Sequence, residues 1–122
     1  AEVGIPAAFI KGGLLISGIY DLRPARLTKE FNYINFTDAS EDMMSPQRHL
    51  ARLKAPLVVA VGGKDSPEFI RQARDLANAV KAAGGTAELI EAPGYNHFEM
   101  SESLGNPYGP AGRAALTLMG LK

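Results

Sequence analysis

The chain has 122 residues, of which 46% are hydrophobic, and Lys+Arg and Asp+Glu each number 13. The formal net charge of zero excludes the basic surface that nucleic-acid binding needs and argues against an electrostatically held membrane surface. There is no cysteine, which excludes thiolate nucleophiles, and no apolar run approaches the ~20 residues that span a bilayer, so we expect a cytoplasmic chain of one domain or less.

The chain begins with a short apolar strand that an irregular excursion follows. Residues 13–18, GLLISG, predict a buried strand. Pro24 predicts that regular structure stops there. Residues 25–45 alternate polar and aromatic side chains and predict one short helix within an excursion. Ser45 as N-cap and Pro46 at the first helical position then predict a second short helix.

Two further strands and two longer helices follow. Residues 57–61, LVVAV, show no polar alternation, which predicts a strand buried on both faces, as in a parallel sheet. Ser66 and Pro67 predict the start of a helix with one apolar stripe, which Gly84 and Gly85 end. Residues 86–92 predict the last strand, and residues 110–122 the last helix.

The order of these elements predicts the fold class. Strands that alternate with helices of roughly 10 to 15 residues indicate crossover units and a parallel sheet. We therefore predict an α/β fold with helices on both faces of a parallel sheet, built from three strands and about four helices.

Two titratable side chains follow successive strands. Asp65 lies four residues past Val61, and His97 lies five past Ala92. Functional groups collect beyond the carboxyl ends of strands in open parallel sheets, so we predict that these side chains touch, each on a loop. A carboxylate bonded to one imidazole nitrogen fixes the tautomer and leaves the other nitrogen as a general base.

Each candidate also has a simpler explanation. Asp65 suits a helix start, where an acid favours the helix dipole. The simpler explanation for His97 is that it is a loop histidine that packs beside Tyr95 and Phe98. The other histidine, His49, lies on an amphipathic stretch and is expected at the surface.

Four motifs carry a resemblance to a known family: GLLISGIYDL at 13–22, MMSPQRHL at 43–50, GGKDSPEF at 62–69 and GYNHFEM at 94–100. From about residue 10 to its end, the chain resembles the C-terminal half of an α/β-hydrolase, in the esterase and arylformamidase (kynurenine formamidase-like) branch. The resemblance implies that Asp65 is the acid and His97 the base of a catalytic triad. It also implies a small-molecule ester or amide substrate and no cofactor.

The family's excursion after the first strand helps to line an acyl pocket. The resemblance therefore implies a substrate-facing role for the aromatic residues of this segment, whereas their pattern alone is equally typical of core. They are Phe31, Tyr33 and Phe36.

The chain departs from the family at the nucleophile. The G-x-S-x-G turn of the family is absent, and the nearest serine, Ser17, has a leucine two positions before it. The resemblance implies that the nucleophile turn lies upstream of residue 1. We therefore expect residues 1–122 to form a single partial domain that lacks the nucleophile-bearing N-terminal half. The alternative is a free-standing, non-catalytic binding module that forms a homo-oligomer through an exposed sheet edge.

Two other kinds of site are disfavoured. Gly62 and Gly63 suggest a phosphate cradle, but GGKD does not match the P-loop pattern. His97 and Glu99 are close in sequence without a second histidine at ligand spacing, so no metal site is expected.

Overall fold

A three-stranded parallel sheet forms the centre of the chain in the computed structural model, which describes Gly4, Pro6 and residues 8–121. The strands are β1 (Gly13–Ile16), β2 (Leu57–Gly62) and β3 (Ala87–Ala92), in the order β1-β2-β3. Every residue of β2 is buried, whereas β1 is half-buried along its length. The predicted parallel sheet is confirmed.

Helices cover both faces of this sheet, as predicted. In chain order they are α1 (Leu22–Arg26), α2 (Asp38–Met43), α3 (Pro67–Ala82), α4 (His97–Glu102) and α5 (Pro110–Leu118). On one face, Val59 and Val61 pack with Leu76 of α3. On the other face, Ala60 packs with Met100 of α4, and α5 lies against β1. Among the described residues, α1 and α4 are α-helices that the sequence does not predict.

Helix α3 follows its sequence pattern closely. It begins with Pro67 at its first position, and its buried residues Ala73, Leu76, Ala77 and Val80 form the predicted stripe. Gly84 follows the helix with a φ of +81°, a left-handed conformation that favours glycine. The predicted N-cap is wrong in one respect, because the Ser66 side chain makes no capping hydrogen bond.

The region after β1 corrects two predictions. Pro24 does not stop regular structure but lies within α1, whose first turn tolerates proline because its N–H groups have no partners inside the helix. The helix predicted after Ser45 consists of two 3₁₀ turns, Pro46–Arg48 and Leu50–Arg52. The Ser45 hydroxyl is engaged elsewhere, since it donates to the Glu41 carbonyl at 2.5 Å.

The last helix is shorter than predicted. Helix α5 ends at Leu118, and Gly120 adopts a φ of +71° directly afterwards. The final residue of the prediction, Lys122, lies outside the described residues. Among the helices that are described, none is both long and apolar enough to cross a bilayer.

Glu41 anchors the excursion between β1 and β2. Its side chain is only 5% exposed and accepts hydrogen bonds from Arg48 at 2.8 Å and Arg26 at 3.0 Å. These two guanidinium groups, Arg48 more strongly, hold the pKa of the Glu41 carboxyl below its ordinary value. The ion pairs therefore connect α1, α2 and the first 3₁₀ turn.

This lowered pKa makes stability depend on pH. Because the folded state favours ionised Glu41, its contribution is fully present above about pH 4.3, the ordinary value for glutamate, and is lost as the pH falls through the lowered pKa. We expect the urea midpoint to decline over that acid range. Glu41→Gln should be less stable at neutral pH and should show a smaller decline, with Glu88→Gln, at an exposed carboxylate of β3, as the control. An unchanged pH profile in Glu41→Gln would contradict this prediction.

Candidate active site

The turn after β2 buries a carboxylate. Asp65 closes the turn by donating its backbone N–H to the Gly62 carbonyl at 3.0 Å. Its side chain is 0% exposed. Oδ2 accepts hydrogen bonds from the Ser17 hydroxyl at 2.6 Å and from the Gly62 N–H at 3.2 Å. Both donors fix the orientation of the carboxylate.

The imidazole that meets this carboxylate lies at the start of a helix. His97 is the first residue of α4, and Asn96 caps that helix by accepting from the N–H groups of Phe98 and Glu99 at 3.0 Å. The Glu99 side chain accepts in turn from the Asn96 N–H at 2.8 Å, which completes a capping box. The prediction that His97 lies on a loop is therefore wrong. These capping hydrogen bonds fix the direction of α4 after β3, and therefore the position of the His97 imidazole.

The structure brings Asp65 and His97 together. The His97 Nδ1 lies 2.7 Å from Asp65 Oδ1, and the His97 side chain is 40% exposed. The turns that carry them are joined by backbone hydrogen bonds from Gly63 to Ala92 at 2.8 Å and from Lys64 to Tyr95 at 2.9 Å. An Nδ1–H group donating to the carboxylate leaves Nε2 unprotonated in the neutral ring, which is the tautomer of a general base.

Aromatic side chains flank the imidazole. The Phe69 ring lies 4.6 Å from the His97 ring, and the Phe98 ring lies 5.5 Å away, edge-on. Phe69 also lines a mainly apolar cavity of about 200 Å³, together with Ile19 and Phe31. Phe69 therefore contacts both the cavity and the His97 ring, and His97 does not itself line the cavity.

The three excursion aromatics differ in their surroundings. Phe31 is half-buried and lines the cavity, and Phe36 is also half-buried. Tyr33 is 77% exposed. Of the three, Phe31 lines this cavity and Tyr33 lies outside the core, and the substrate-facing role stays a prediction.

Comparisons with known proteins agree with this architecture. No protein-family model matches the chain. The kynurenine formamidase of Danio rerio is 35% identical over 100 residues, which are 78% of this chain and 34% of that relative. A Silicibacter protein provisionally assigned as a thioesterase is 29% identical and superposes with a TM-score of 0.73, covering 85% of this chain and 38% of its own. The chain has an α/β-hydrolase fold and is similar in sequence to kynurenine formamidases.

A more distant structure shows the same fold. Esterase 2 of Thermogutta terrifontis is 20% identical and superposes with a TM-score of 0.61, covering 90% of this α/β-hydrolase chain and 39% of its own. The resemblance predicted from the four motifs is confirmed. The chain spans about a third of the length of the curated relatives that it matches.

Several serines of this α/β-hydrolase chain form hydrogen bonds with groups other than the imidazole. Ser17 is buried and donates to Asp65. Ser40 takes part in the cap of α2, and Ser103 donates to the Met100 carbonyl at 2.7 Å. Within the described residues, no hydrogen bond joins a serine hydroxyl to His97, so a nucleophile paired with the imidazole is not among these contacts.

The glycine turn is not built to hold a phosphate. A phosphate cradle needs backbone N–H groups that are free to point at the ligand. The consecutive N–H groups of residues 62–64 already donate to Asp65, Ala92 and Tyr95. These bonds instead hold the two strand ends together, and the phosphate-binding alternative is disfavoured.

Two points remain: whether the described residues could hold a metal ion, and where His49 lies. Across Gly4, Pro6 and residues 8–121, no group of three or more His, Asp or Glu is placed to hold a metal ion. His49 is half-buried, and its Nε2 lies 2.7 Å from the Asp42 carbonyl, so Nε2 carries the proton of the neutral ring. His49 therefore stabilises the excursion.

Proposed function

We propose that this chain supplies the acid, Asp65, and the base, His97, of a serine ester or amide hydrolase. The observation that supports this most directly is the 2.7 Å contact between a buried carboxylate and the Nδ1 of a partly exposed imidazole. A histidine that served only in packing would not need a buried carboxylate held by two other donors.

The geometry suits acyl transfer. In the first step, His97 Nε2 takes the proton of a serine hydroxyl as that oxygen bonds to the substrate carbonyl carbon. The imidazolium then gives this proton to the leaving group as the ester or amide bond breaks. In the second step, Nε2 takes a proton from water as the water oxygen bonds to the acyl carbon, and the imidazolium returns this proton to the serine oxygen as the acyl–serine bond breaks and the acid leaves. Asp65 stays ionised throughout and stabilises the imidazolium.

The cavity beside Phe69 supports an apolar group on the substrate. Its volume of about 200 Å³ and its lining by Ile19, Phe31 and Phe69 fit an aromatic or short aliphatic group. The Danio rerio relative is named kynurenine formamidase, and we propose an aryl formamide as substrate on that basis. A carboxylic ester is the alternative.

The nucleophile would come from a part of the enzyme outside this chain. Strand β1 pairs only with β2 among the described strands, so its other edge is unpaired. Beside it lies a mainly apolar groove of about 470 Å³ lined by Leu15, Leu50 and Leu53. We propose that residues 1–122 are a partial domain and that the nucleophile-bearing N-terminal half of the enzyme covers this edge. A second copy of the chain is the alternative occupant.

We expect the chain alone to lack triad-driven hydrolysis, because no serine hydroxyl is hydrogen-bonded to His97 among the residues that the structure describes. Assays with p-nitrophenyl acetate should give the same slow rate for the unmodified chain and for His97→Ala. Supplying the nucleophile-bearing half should raise the rate, and His97→Ala should then abolish the gain, with His49→Ala as the matched control. Turnover by the chain alone that depends on His97 would contradict the partial-domain proposal.

Solution behaviour separates this proposal from a non-catalytic module. A cooperatively folding species made of this chain alone, with no hydrolysis after addition of the N-terminal half, would favour the module. Sedimentation and urea unfolding would show whether the chain is a folded monomer, a dimer formed through the β1 edge, or a partly molten species.

A further inference from the structure

Ser17 occupies an unusual place at the end of β1. Its N–H donates to the Ala60 carbonyl at 2.8 Å, and its φ is +45°. Among the described residues it is the one non-glycine residue with a positive φ. Residues with a side chain rarely adopt this conformation, and glycine adopts it without strain.

The side chain of Ser17 offers a reason for its presence there. It is 6% exposed, and its hydroxyl donates at 2.6 Å to Oδ2 of Asp65, the oxygen that does not face His97. The other donor to Oδ2, the Gly62 N–H, is longer, at 3.2 Å. Ser17 thus makes the shorter of the two hydrogen bonds to Asp65 Oδ2, and the Asp65 side chain is not exposed to water.

We propose that Ser17 is a positioning residue, which acts on His97 through Asp65. This inference rests on the proposed function, since it assigns a task to the same Asp65–His97 pair. With Oδ2 held by a hydroxyl from β1, the carboxylate cannot rotate, and Oδ1 stays aimed at Nδ1. The pair is therefore held by three elements: β1, the turn after β2, and the start of α4.

An alternative is that Ser17 merely ends the strand. Glycine would then serve better, because it fits the left-handed backbone without strain. The substitution Ser17→Gly therefore separates the two explanations, since it removes the hydroxyl and eases the backbone. Ser17→Ala removes the hydroxyl and keeps the Cβ.

The test is a ¹H–¹⁵N NMR measurement on this chain, which needs no hydrolysis. The two histidines serve as probe and internal reference, because His97 should carry its proton on Nδ1 and His49 on Nε2. In Ser17→Gly and Ser17→Ala we expect exchange of the His97 Nδ1–H with water to accelerate about tenfold, the factor for losing one hydrogen bond to a charged group. The His49 signals should not change.

Ser103→Ala is the matched control, because Ser103 is equally buried at 6% and its hydroxyl bonds to the Met100 carbonyl instead. It should leave the His97 signal unchanged. Unchanged His97 exchange in both Ser17 variants, or loss of the whole fold in both by circular dichroism, would overturn the proposal. Accelerated exchange combined with no hydrolysis after addition of the N-terminal half would refute the proposed function alone.

Discussion

Asp65→Asn should reduce ester or amide hydrolysis by the assembled enzyme by about 10⁴-fold in kcat, the scale seen when a triad histidine is held in the wrong tautomer. The reason lies in the donors around Oδ2. The Ser17 hydroxyl and the Gly62 N–H both require an acceptor at that position, so the amide oxygen of the introduced asparagine would occupy it. The amide NH₂ would then face His97 Nδ1, which must become an acceptor. Nε2 would carry the proton and could no longer accept one from a serine.

Two measurements check this prediction. Hydrolysis of p-nitrophenyl acetate gives kcat and KM, of which only kcat should fall, because the carboxylate acts on the imidazole and not on the substrate. NMR of this chain should show the His97 proton moving from Nδ1 to Nε2. Asp75→Asn, at an exposed residue of α3 that pairs with Arg71, is the control. Unchanged kcat in Asp65→Asn would remove Asp65 from the mechanism.

The sequence predicts the sheet and the longest helix well because both bury continuous apolar surfaces. Residues 57–61 have no polar alternation, and every one of them is buried in β2. The α3 stripe recurs at helical spacing from Ala73 to Val80 within a helix of 16 residues, long enough for periodicity to outweigh local exceptions. The positions of Asp65 and His97 follow from this frame, because parallel neighbours end at the same edge.

Short elements are harder to predict because the hydrogen bonds at their ends, rather than the periodicity of their apolar residues, determine where they form. Helix α4 has six residues, too few for an apolar stripe, yet Asn96 and Glu99 carry the N-x-x-E pattern of a capping box. That pattern could have placed His97 on a helix. Ser45 and Ser66 lie at the predicted N-cap positions before proline, but neither caps with its side chain, and only Ser66 precedes an α-helix.

No sequence pattern predicts the contact between Ser17 and Asp65. The two residues are separated by 48 positions and meet through a single hydroxyl. Ser17 follows three apolar residues, so its sequence context is that of an ordinary strand. Nothing in this local context predicts either its positive φ or its contact with Asp65.

Gly62 is the position where the fold and the candidate site depend most directly on each other. A Cβ at Gly62 would clash with the Tyr95 carbonyl oxygen and lie 3.0 Å from Met100 Cγ. That carbonyl accepts the Lys64 N–H that joins the two strand ends, and it lies two residues before His97. Because the nearest atom belongs to backbone, the whole turn must move rather than a side chain.

Gly62→Ala should therefore lower the free energy of unfolding by about 3 kcal/mol, the upper range for overpacking in a core. It should also separate His97 from Asp65, so that the His97 Nδ1–H exchanges rapidly. Urea unfolding and NMR of this chain measure the two effects. Gly105→Ala is the matched control, since a Cβ there meets nothing within 4 Å, and it should change stability by less than about 0.5 kcal/mol. If Gly62→Ala were as stable as Gly105→Ala and kept the His97 signal, the backbone contact with Tyr95 could not be what holds the histidine against its carboxylate.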